Sequence, residues 1–498
     1  MNKKNISITI DDIMVKNTPD GMSFTIDSAP ALNRLANISD PIQAVKPVSK
    51  QSETTDDVSA SDSVSKLNSI LDKRKENTAS LLADILAEAL HPFKKEDDLY
   101  CYRHGVYVKC TKKKMLELIH DIIGERTGKV SMREQTQSVD LLIASTPQTD
   151  SIPHYPNLLN VKNGILDISK MTVMPHNPSY KFTYQLSVDY NPKAACPKFI
   201  KDMINISANK SGYYEHLQEY CGYLISDYPI LKEFGLFIGP PNTSKSFVAA
   251  IIRMIIGNEY VNAVDMKKLN HEYYLASMCS KKLNICSDMG SAPLSDFGIL
   301  KQLTSSDDAI QIRNIFSSTK SILDRPKLLF AANQYPNITA SMENMKALFA
   351  RSHIIPFDYK IKKKNRIDGY AQILFEEEGE GILNWMLEGY VRFLKNGRKF
   401  TKCFAVQQAR DEFKRTYSLA VDFVDECLEF KKKGKVFTCE LNEALQEYAE
   451  DHNVPYNPIY MKQLRGILFS MGIENKKIRK KKKTLQGFEG IEFRRFML

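Results

Sequence analysis

The spacing of hydrophobic residues separates a polar N-terminal segment from a long folded remainder. Residues 1–77 contain one alternating stretch, Ile6 to Ile10, and then the tract Ser49 to Ser63, which is rich in Ser, Thr and Asp. Such a composition buries too little apolar surface to fold, so we expect a disordered N-terminal tail or linker. From Thr78 apolar residues recur every three or four positions, which indicates a helix, and Asp98 to Lys109 alternates as a hairpin would.

The next elements complete an α+β module over residues 78–200. Lys114 to Gly124 again has helical spacing. Short β-rich runs around an Asn163-Gly164 turn predict strands. These runs are Leu158–Asn163, Ile165–Ile168 and Lys181–Leu186.

The centre of the chain, residues 201–400, has the pattern of an α/β sandwich. A helix is predicted from about Lys198 to Asp227 and another over Gly381 to Lys395. Apolar runs alternate with helical stretches between them, as in a layered α/β domain. The strand-like runs are Phe234–Ile238, Leu283–Ser287, Ile310–Ile315, Lys327–Ala331 and Ser352–Pro356.

Residues 401–498 have the pattern of three helices followed by a basic hairpin. The helices are predicted at Val406–Phe430, Leu441–Asp451 and Met461–Met471, and a strand at Gly490–Phe496. Between the last helix and this strand, Lys476 to Lys483 holds seven cations in eight residues. Such a run occurs as a solvated basic loop, as a localisation tag or as a phosphate-binding surface.

The strand at Phe234 leads directly into a loop that ends in Lys-Ser. The loop consists of Gly239, Pro240, Pro241, Asn242, Thr243, Ser244, Lys245 and Ser246. A strand, such a loop and a following helix form the layout of a P-loop, which directs backbone N–H groups at nucleotide phosphates. Lys245 would reach the β- and γ-phosphates of ATP and Ser246 would hold Mg²⁺. Ser244 stands where the usual motif has glycine, a position that often needs positive φ.

Three further residues end or begin predicted strands. Asp288 follows the strand from Leu283 and suits Mg²⁺ binding and water activation, although an aspartate there also caps helices. Asn333 ends the strand from Lys327 and suits a water-holding role, or is a simple turn residue. Arg351 precedes the strand from Ser352 and suits stabilisation of transition-state charge in a neighbouring subunit.

The composition is that of a globular protein with a basic bias. The 498 residues are 43% hydrophobic and 26% charged, with a net charge of +10. The first ten residues lack the apolar core of a secretory signal, and no apolar run reaches the length of a membrane span. Nine cysteines without a Cys-x-x-Cys pair are typical of reduced, buried thiols. We therefore expect a cytosolic or nuclear protein with no membrane partner.

Taken together, these motifs resemble those of superfamily 3 helicases, in the phage, plasmid and poxvirus primase-helicase branch. The resemblance covers about residues 78–400 and rests on the loop at 239–246, the acid at 288, Leu300-Lys-Gln-Leu-Thr, Ala331-Ala-Asn-Gln-Tyr-Pro and the stretch after Arg351. Upstream, Asn160-Val-Lys-Asn-Gly-Ile-Leu-Asp167 resembles the helicase-associated domain of that branch. The family often has Glu where this chain has Asp288 and an Arg pair where it has Ala350-Arg351.

This resemblance implies a fold and a function. The fold class would be α/β: an AAA+ P-loop sandwich core with an α+β N-terminal domain and a C-terminal winged-helix domain. The implied protein is a homo-hexameric ring that uses ATP and Mg²⁺ to move 3′→5′ on single-stranded DNA and unwind duplex DNA. Residues 1–77 are too few for a primase domain, so a separate primase or initiator would be the partner of this helicase. The resemblance implies that both would act in the cytoplasm of a bacterial host cell.

Two basic features would contact DNA. In this class a hairpin projects into the ring channel, and here it would span Ile310 to Leu323 with Arg313 or Lys320 as its cation. The second feature is the presumed wing, whose lysines would contact mainly phosphates. Its cations are Lys476, Lys477, Arg479, Lys480, Lys481, Lys482 and Lys483.

Two other functions remain open from sequence. One is a DNA-binding replication initiator that uses ATP only as an assembly switch, favoured by Ser244 and by the single acid at 288. The other is a packaging or partition ATPase, which the spacing from Asp288 to Asn333 and the N-terminal module disfavour. ATP turnover that rises with single-stranded DNA would distinguish the helicase from the switch.

Overall fold

The computed structural model describes most of the chain from residue 78 onwards. The described residues are 14–18, 21–25, 78–96, 98–123, 130–278, 281–287, 289, 297–305, 310–313, 319–322, 325–336, 338, 342–452, 454, 456–480 and 483–494. For 14–18, 21–25, 311–313, 319–322, 342–343, 365, 416–418, 480 and 483 the description is limited to the backbone.

A short antiparallel pair lies in the segment that the sequence predicted to be disordered. Strand β1 (Met14–Thr18) pairs with β2 (Gly21–Thr25). The strand predicted at Ile6 to Ile10 lies outside the described residues.

Three helices and a three-stranded antiparallel sheet begin the N-terminal module. They are α1 (Thr78–Leu90), β3 (Phe93–Lys95), β4 (Asp98–Arg103), β5 (Val106–Cys110), α2 (Lys112–Ile123) and α3 (Met132–Ser145). Leu82, Met115 and Leu142 belong to the core that these elements share. The predicted helix at Thr78, hairpin and second helix are confirmed; α3 was not predicted, although Ser131 and Glu134 form a capping box at its start.

A second sheet continues the module, and one predicted strand is wrong. The sheet contains β6 (Leu158–Val161), β7 (Gly164–Asp167) and β8 (Thr172–Met174), with the turn at Asn163-Gly164 as predicted. Residues 181–186 form no strand. Their backbone bonds go singly to different partners, because the Tyr107 amide donates to the Phe182 carbonyl while the Leu186 amide donates to Asn160.

The helix predicted from Lys198 to Asp227 is two helices. They are α4 (Pro197–Ser207) and α5 (Tyr213–Ile225). Asn209 and Gly212 between them have φ of 65° and 71°. A left-handed residue interrupts a right-handed helix, so the chain must turn between α4 and α5.

The centre of the protein is a five-stranded parallel sheet in the order β10-β11-β14-β9-β15. Its elements and their neighbours are β9 (Phe234–Ile238), α6 (Lys245–Ile256), β10 (Val261–Asn262), α7 (Glu272–Met278), β11 (Leu283–Cys286), α8 (Gly298–Leu303), β12 (Ile310–Arg313), β13 (Thr319–Ile322), β14 (Lys327–Ala332), α9 (Met342–Arg351), β15 (Ser352–Pro356) and α10 (Tyr370–Lys395).

Helices cover both faces of this sheet. Alternate residues of each strand enter two different hydrophobic clusters: Leu236 and Phe330 enter one, Phe237 and Leu329 the other. Burial on both faces explains why the strands read as continuous apolar runs. Strand β12 does not belong to this sheet: it pairs with β13 in a separate hairpin, as predicted between Ile310 and Leu323, and the short β10 is the fifth strand.

The hydrophobic clusters do not follow the predicted domain limits. Residues 159–206 share one cluster with a face of the sheet, and the other face shares a cluster with the C-terminal residues up to Ile491. The domain limits at 200 and 400 therefore remain predictions from sequence pattern.

The C-terminal part combines three helices with a three-stranded antiparallel sheet of order β16-β18-β17. The elements are α11 (Phe404–Cys427), β16 (Leu428–Phe437), α12 (Thr438–Asp451), α13 (Pro458–Ser470), β17 (Asn475–Lys480) and β18 (Lys483–Phe493). The helix predicted to reach Phe430 ends at Cys427, where β16 begins. That strand was not predicted, because its polar run Lys431-Lys-Lys-Gly lacks strand alternation.

Candidate nucleotide site and basic surfaces

The predicted phosphate loop joins β9 to α6 at the carboxyl edge of the parallel sheet. Its first residue, Gly239, donates its N–H to Ala332 of β14 at 3.3 Å. A Cβ at Gly239, whose φ is 153°, would lie 1.8 Å from the Phe357 carbonyl oxygen. Glycine is therefore required here, since the chain after β15 passes directly over the start of the loop.

Lys245 is buried inside the loop. Its Nζ donates to the carbonyl oxygens of Gly239 at 2.6 Å and Pro240 at 2.7 Å, and to Thr243 Oγ1 at 3.2 Å. Burial lowers the pKa of Lys245. The loop thus holds an ammonium group against three oxygen acceptors at the start of a helix, where phosphate oxygens could replace those acceptors.

Ser244 has the backbone conformation that its place in the motif indicated. Its φ is 70°, it occupies the N-cap position of α6, and its side chain makes no cap hydrogen bond. Asn242, at the exposed turn of the loop, also has positive φ, 64°. Ser246 is exposed, so its hydroxyl is open to solvent beside the loop.

Asn333 and the loop lie at the same edge of the sheet. Asn333 directly follows β14, whose last residue, Ala332, pairs with Ile238 of β9. The Asn333 side chain is exposed. The neighbouring strand β11 ends at Cys286 at this same edge, and the Met289 amide donates to the Ala331 carbonyl at 3.3 Å. Asp288 itself lies outside the described residues.

Arg351 lies at the opposite edge. It ends α9 and is followed directly by β15, which runs parallel to β9 with Ser352 opposite Phe234 and Pro356 opposite Ile238. A five-residue strand spans about 13 Å, so Arg351 is far from the loop of its own chain. Its Nη1 donates to the Ala347 carbonyl at 3.2 Å, and its buried Nε has no partner among the described residues.

The segment after β15 also contacts the loop, which the sequence did not reveal. The Ile361 amide donates to the Asn242 carbonyl at 3.1 Å, and Lys210 pairs with Asp358. Residues 360–366 contain five cations, and those with described side chains are exposed. Their composition was visible in the sequence, but their contact with a loop more than a hundred residues earlier was not.

The hairpin predicted for the channel lies partly outside the described residues. Strands β12 and β13 pair with Ile312 opposite Lys320 and Arg313 opposite Thr319. The two candidate cations thus occupy adjacent register positions, and nothing in this register favours one over the other.

The described residues of the basic run 476–483 form most of β17 and the first residue of β18, the two strands of a hairpin. Lys476 contacts Glu489 at 2.8 Å, and Glu489 also contacts Lys435 at 3.3 Å, which together hold the pKa of Glu489 below its usual value. Lys477 and Arg479 are exposed. Lys480 pairs with Lys483 at the end of the ladder, and Lys481 and Lys482 lie outside the described residues.

A second basic run was missed. Lys431, Lys432 and Lys433 are exposed in a bulge of β16, where the register shifts between Phe430 and Lys435. Lys431 pairs with Glu429 at 2.9 Å and with Glu492. The carboxylates beside both runs reduce the net positive charge of this sheet.

No membrane-spanning segment and no metal cluster are found within the part of the chain that the structure describes. None of its helices combines the length and the apolar character that crossing a membrane requires. No group of three or more His, Cys, Asp or Glu side chains there could hold a metal ion.

Comparisons with known proteins match two parts of the chain. Residues 71–205 match a protein family described as D5 N terminal like, and residues 237–351 match a family of unknown function, DUF5906. No curated protein matches. Apo structures of the NrS-1 C-terminal region are similar over 84% of this chain and their full length. One has 10% identity and a TM-score of 0.45, and another, of residues 305–718, has 12% and 0.43.

Proposed function

We propose that this protein is an ATP-dependent replicative DNA helicase of a mobile genetic element, with an AAA+ core and a C-terminal winged helix. One observation carries the proposal most strongly: the loop of residues 239–246 leaves an interior strand of a parallel sheet, next to strand β14, which Asn333 directly follows. Ligands of open α/β sheets bind at the carboxyl edge where the strand order reverses. Here β14 and β15 flank β9 from opposite sides, so the reversal occurs at this loop.

The loop suits the phosphates of ATP. Lys245 would exchange its contacts with Gly239, Pro240 and Thr243 for phosphate oxygens, and the first N–H groups of α6 have no intrahelical partner. Ser246 and Asp288 would hold Mg²⁺, which neutralises charge on the transferred phosphoryl group. Asn333 would orient the attacking water.

The position of Arg351 favours a ring. At the opposite edge of its own sheet it cannot reach the phosphates of its own subunit, but it could reach those of a neighbour. A homo-hexamer that moves 3′→5′ on single-stranded DNA follows from the resemblance to superfamily 3 helicases. The match of residues 71–205 to the family described as D5 N terminal like supports the same interpretation of the N-terminal module.

The C-terminal sheet and helices suit duplex DNA. Strand β16 between the first two helices, and a basic β17–β18 hairpin after the third, give the element order expected of a winged helix. Lys477, Arg479 and the lysines from 480 to 483 would contact phosphates on this hairpin. The β12–β13 hairpin, with Arg313 and Lys320, would contact the single strand in the channel.

The test is ATP hydrolysis with and without single-stranded DNA, together with unwinding of a forked duplex that has a 3′ tail. The helicase requires hydrolysis that DNA stimulates and strand separation that depends on ATP. Lys245→Ala is the matched control and should abolish both. ATP-dependent assembly on duplex DNA without strand separation would instead identify the initiator that uses ATP as a switch.

A further inference from the structure

Three polar side chains form a continuous chain at the amino end of β15, away from the nucleotide loop. His216 of α5 has Nδ1 2.8 Å from the Thr401 carbonyl oxygen and Nε2 2.8 Å from Nε2 of His353. Nδ1 of His353 is 3.2 Å from Oε1 of Glu233. Glu233 directly precedes β9, and His353 is two residues after Arg351.

The protons in this chain follow from the groups at its ends. A carbonyl oxygen can only accept, so Nδ1 of His216 must carry a proton. Two ring nitrogens 2.8 Å apart share one proton. If His216 is neutral, its Nε2 accepts and His353 donates. The other nitrogen of His353 then faces Glu233, and one more proton must lie between them, because two acceptors at this distance repel.

We infer that Glu233, His353, His216 and Thr401 form a proton-ordered relay, in which His216 is the neutral Nδ1–H tautomer, His353 donates to its Nε2, and one further proton lies between His353 and Glu233. The relay joins the start of β9, the start of β15 and the segment before α11. It therefore positions the amino end of β15, and with it Arg351, against the C-terminal part of the chain.

Two aromatic rings fix the position of His353 within the relay. The Tyr220 ring stacks on His353 at 4.6 Å with an interplanar angle of 4°, and Phe400 lies at 4.9 Å. Burial, and next the charge of His353, lower the pKa of His216 to about 3, which keeps that ring neutral. Burial alone would raise the pKa of Glu233, but the charge of His353 outweighs it and the pKa is lowered.

The relay borders a cavity of about 390 Å³. Besides Glu233 and the two histidines, the titratable side chains that line this cavity include Lys402, before α11, and Arg410 of α11. Both are cations, and the charge of Arg410 further lowers the pKa of Glu233.

A cycle of amide substitutions tests the relay. In His353→Gln the new amide can donate to His216 or to Glu233, but not to both. Its oxygen then faces the other of these two acceptors without a proton between them. The unfolding midpoint should therefore fall by at least about 3 °C. In the double variant Glu233→Gln/His353→Gln, the amide nitrogen introduced at position 233 donates to the amide oxygen introduced at position 353. The amide nitrogen at position 353 is then free to donate to His216. The second substitution should therefore restore most of the lost midpoint.

If Glu233 and His353 only fill space, we expect the opposite result, because each substitution would lower the unfolding midpoint and the two decreases would add. Additive or greater loss in the double variant overturns the inference. So does any form of His216 other than the neutral Nδ1–H tautomer at pH 7 in the full-length protein labelled with ¹⁵N-histidine, where we expect the Nδ1 of His216 to carry a proton and its Nε2 to carry none. Either result stands whether or not the protein hydrolyses ATP.

The consequence for Arg351 rests on the proposed function and has a separate measurement. His353→Gln should lower the turnover number of ATP hydrolysis several-fold without weakening ATP binding, and Glu233→Gln/His353→Gln should recover it. Recovery of the unfolding midpoint without recovery of turnover would leave the relay in place and refute its link to Arg351. An inactive wild-type protein would refute the proposed function and leave the stability cycle unchanged.

Discussion

Ser244→Gly tests the backbone of the nucleotide loop directly. Ser244 has φ of 70°, in the left-handed region that side chains with a Cβ rarely adopt, and its hydroxyl makes no cap hydrogen bond. The residue is buried, so the strain is borne by a well-packed loop. Glycine adopts this conformation without the clash between Cβ and the following carbonyl.

The expected gain is small but measurable. The left-handed conformation raises the free energy of a residue with a Cβ by about 1–2 kcal/mol. Glycine loses more backbone entropy on folding, which offsets roughly 0.5–1 kcal/mol. The net effect of Ser244→Gly should thus lie between about zero and 1.5 kcal/mol of added stability.

The assay pairs urea unfolding with ATP hydrolysis and compares Ser244→Gly with Ser244→Ala. The alanine variant keeps the Cβ and loses only the hydroxyl, so it should retain the strain. We expect the glycine variant to be at least as stable and as active as the wild type, and more stable than the alanine variant. Equal and large losses of hydrolysis in both variants would show that the hydroxyl itself contacts phosphate, and would refute the explanation by strain.

Four further predictions concern the catalytic groups, the ring, the basic hairpin and acid stability. Lys245→Ala should abolish ATP hydrolysis, and Asp288→Asn should bind nucleotide without turnover; near-normal turnover in either would contradict the assigned site. The Arg351→Ala variant should bind ATP but hydrolyse it poorly, and mixing it with Lys245→Ala subunits should restore some hydrolysis. If the mixture is oligomeric but hydrolysis does not recover, Arg351 is structural or acts within its own subunit. Replacing the four lysines from 480 to 483 with alanine should flatten the slope of log K against log salt for duplex binding by roughly two to four. ATP hydrolysis should be unchanged. An unaltered slope would show that these lysines form a solvated loop that does not contact DNA. The pKa of His216 is lowered to about 3 in the folded protein. As the pH falls below about 6.5, His216 therefore becomes protonated in the unfolded chain before it does so in the folded one. The free energy of unfolding should therefore decline from there towards pH 3, by up to roughly 5 kcal/mol. His216→Gln, which can donate to Thr401 and accept from His353 without titrating, should flatten that decline in urea titrations at several pH values, and an equal decline in both proteins would refute the assignment.

The elements that the pattern predicted well are those whose signal is local and continuous. Strand β9 and helix α6 follow from an apolar run, a loop and a helical repeat, and the bounds of β9, Phe234 and Ile238, agree with the prediction. The prediction failed where distant partners decide. Residues 181–186 have strand composition but make single bonds to two different segments, and β10 has two residues, too few to leave a pattern.

The candidate site likewise has features that depend on neighbouring residues, which could be predicted, and features that depend on distant residues, which could not. The chemistry of the loop was readable because Gly239, Lys245 and Ser246 are close in sequence and their roles depend on spacing. The contact of Ile361 with the loop and the relay from Glu233 to Thr401 join residues more than a hundred positions apart, and single histidines carry no sequence signal.

The sequence by itself thus predicted the loop of residues 239–246 between a strand and a helix, the unusual serine within it, and the order of helices and strands along most of the chain, because each depends on neighbouring residues. The tertiary structure alone decided that β14 and β15 flank β9, which brings Asn333 to the edge where the loop lies and leaves Arg351 at the other. Strand order is set by burial of both sheet faces against helices from distant parts of the chain. No local pattern encodes that packing, so the separation of Arg351 from the loop could not be read before the fold was known.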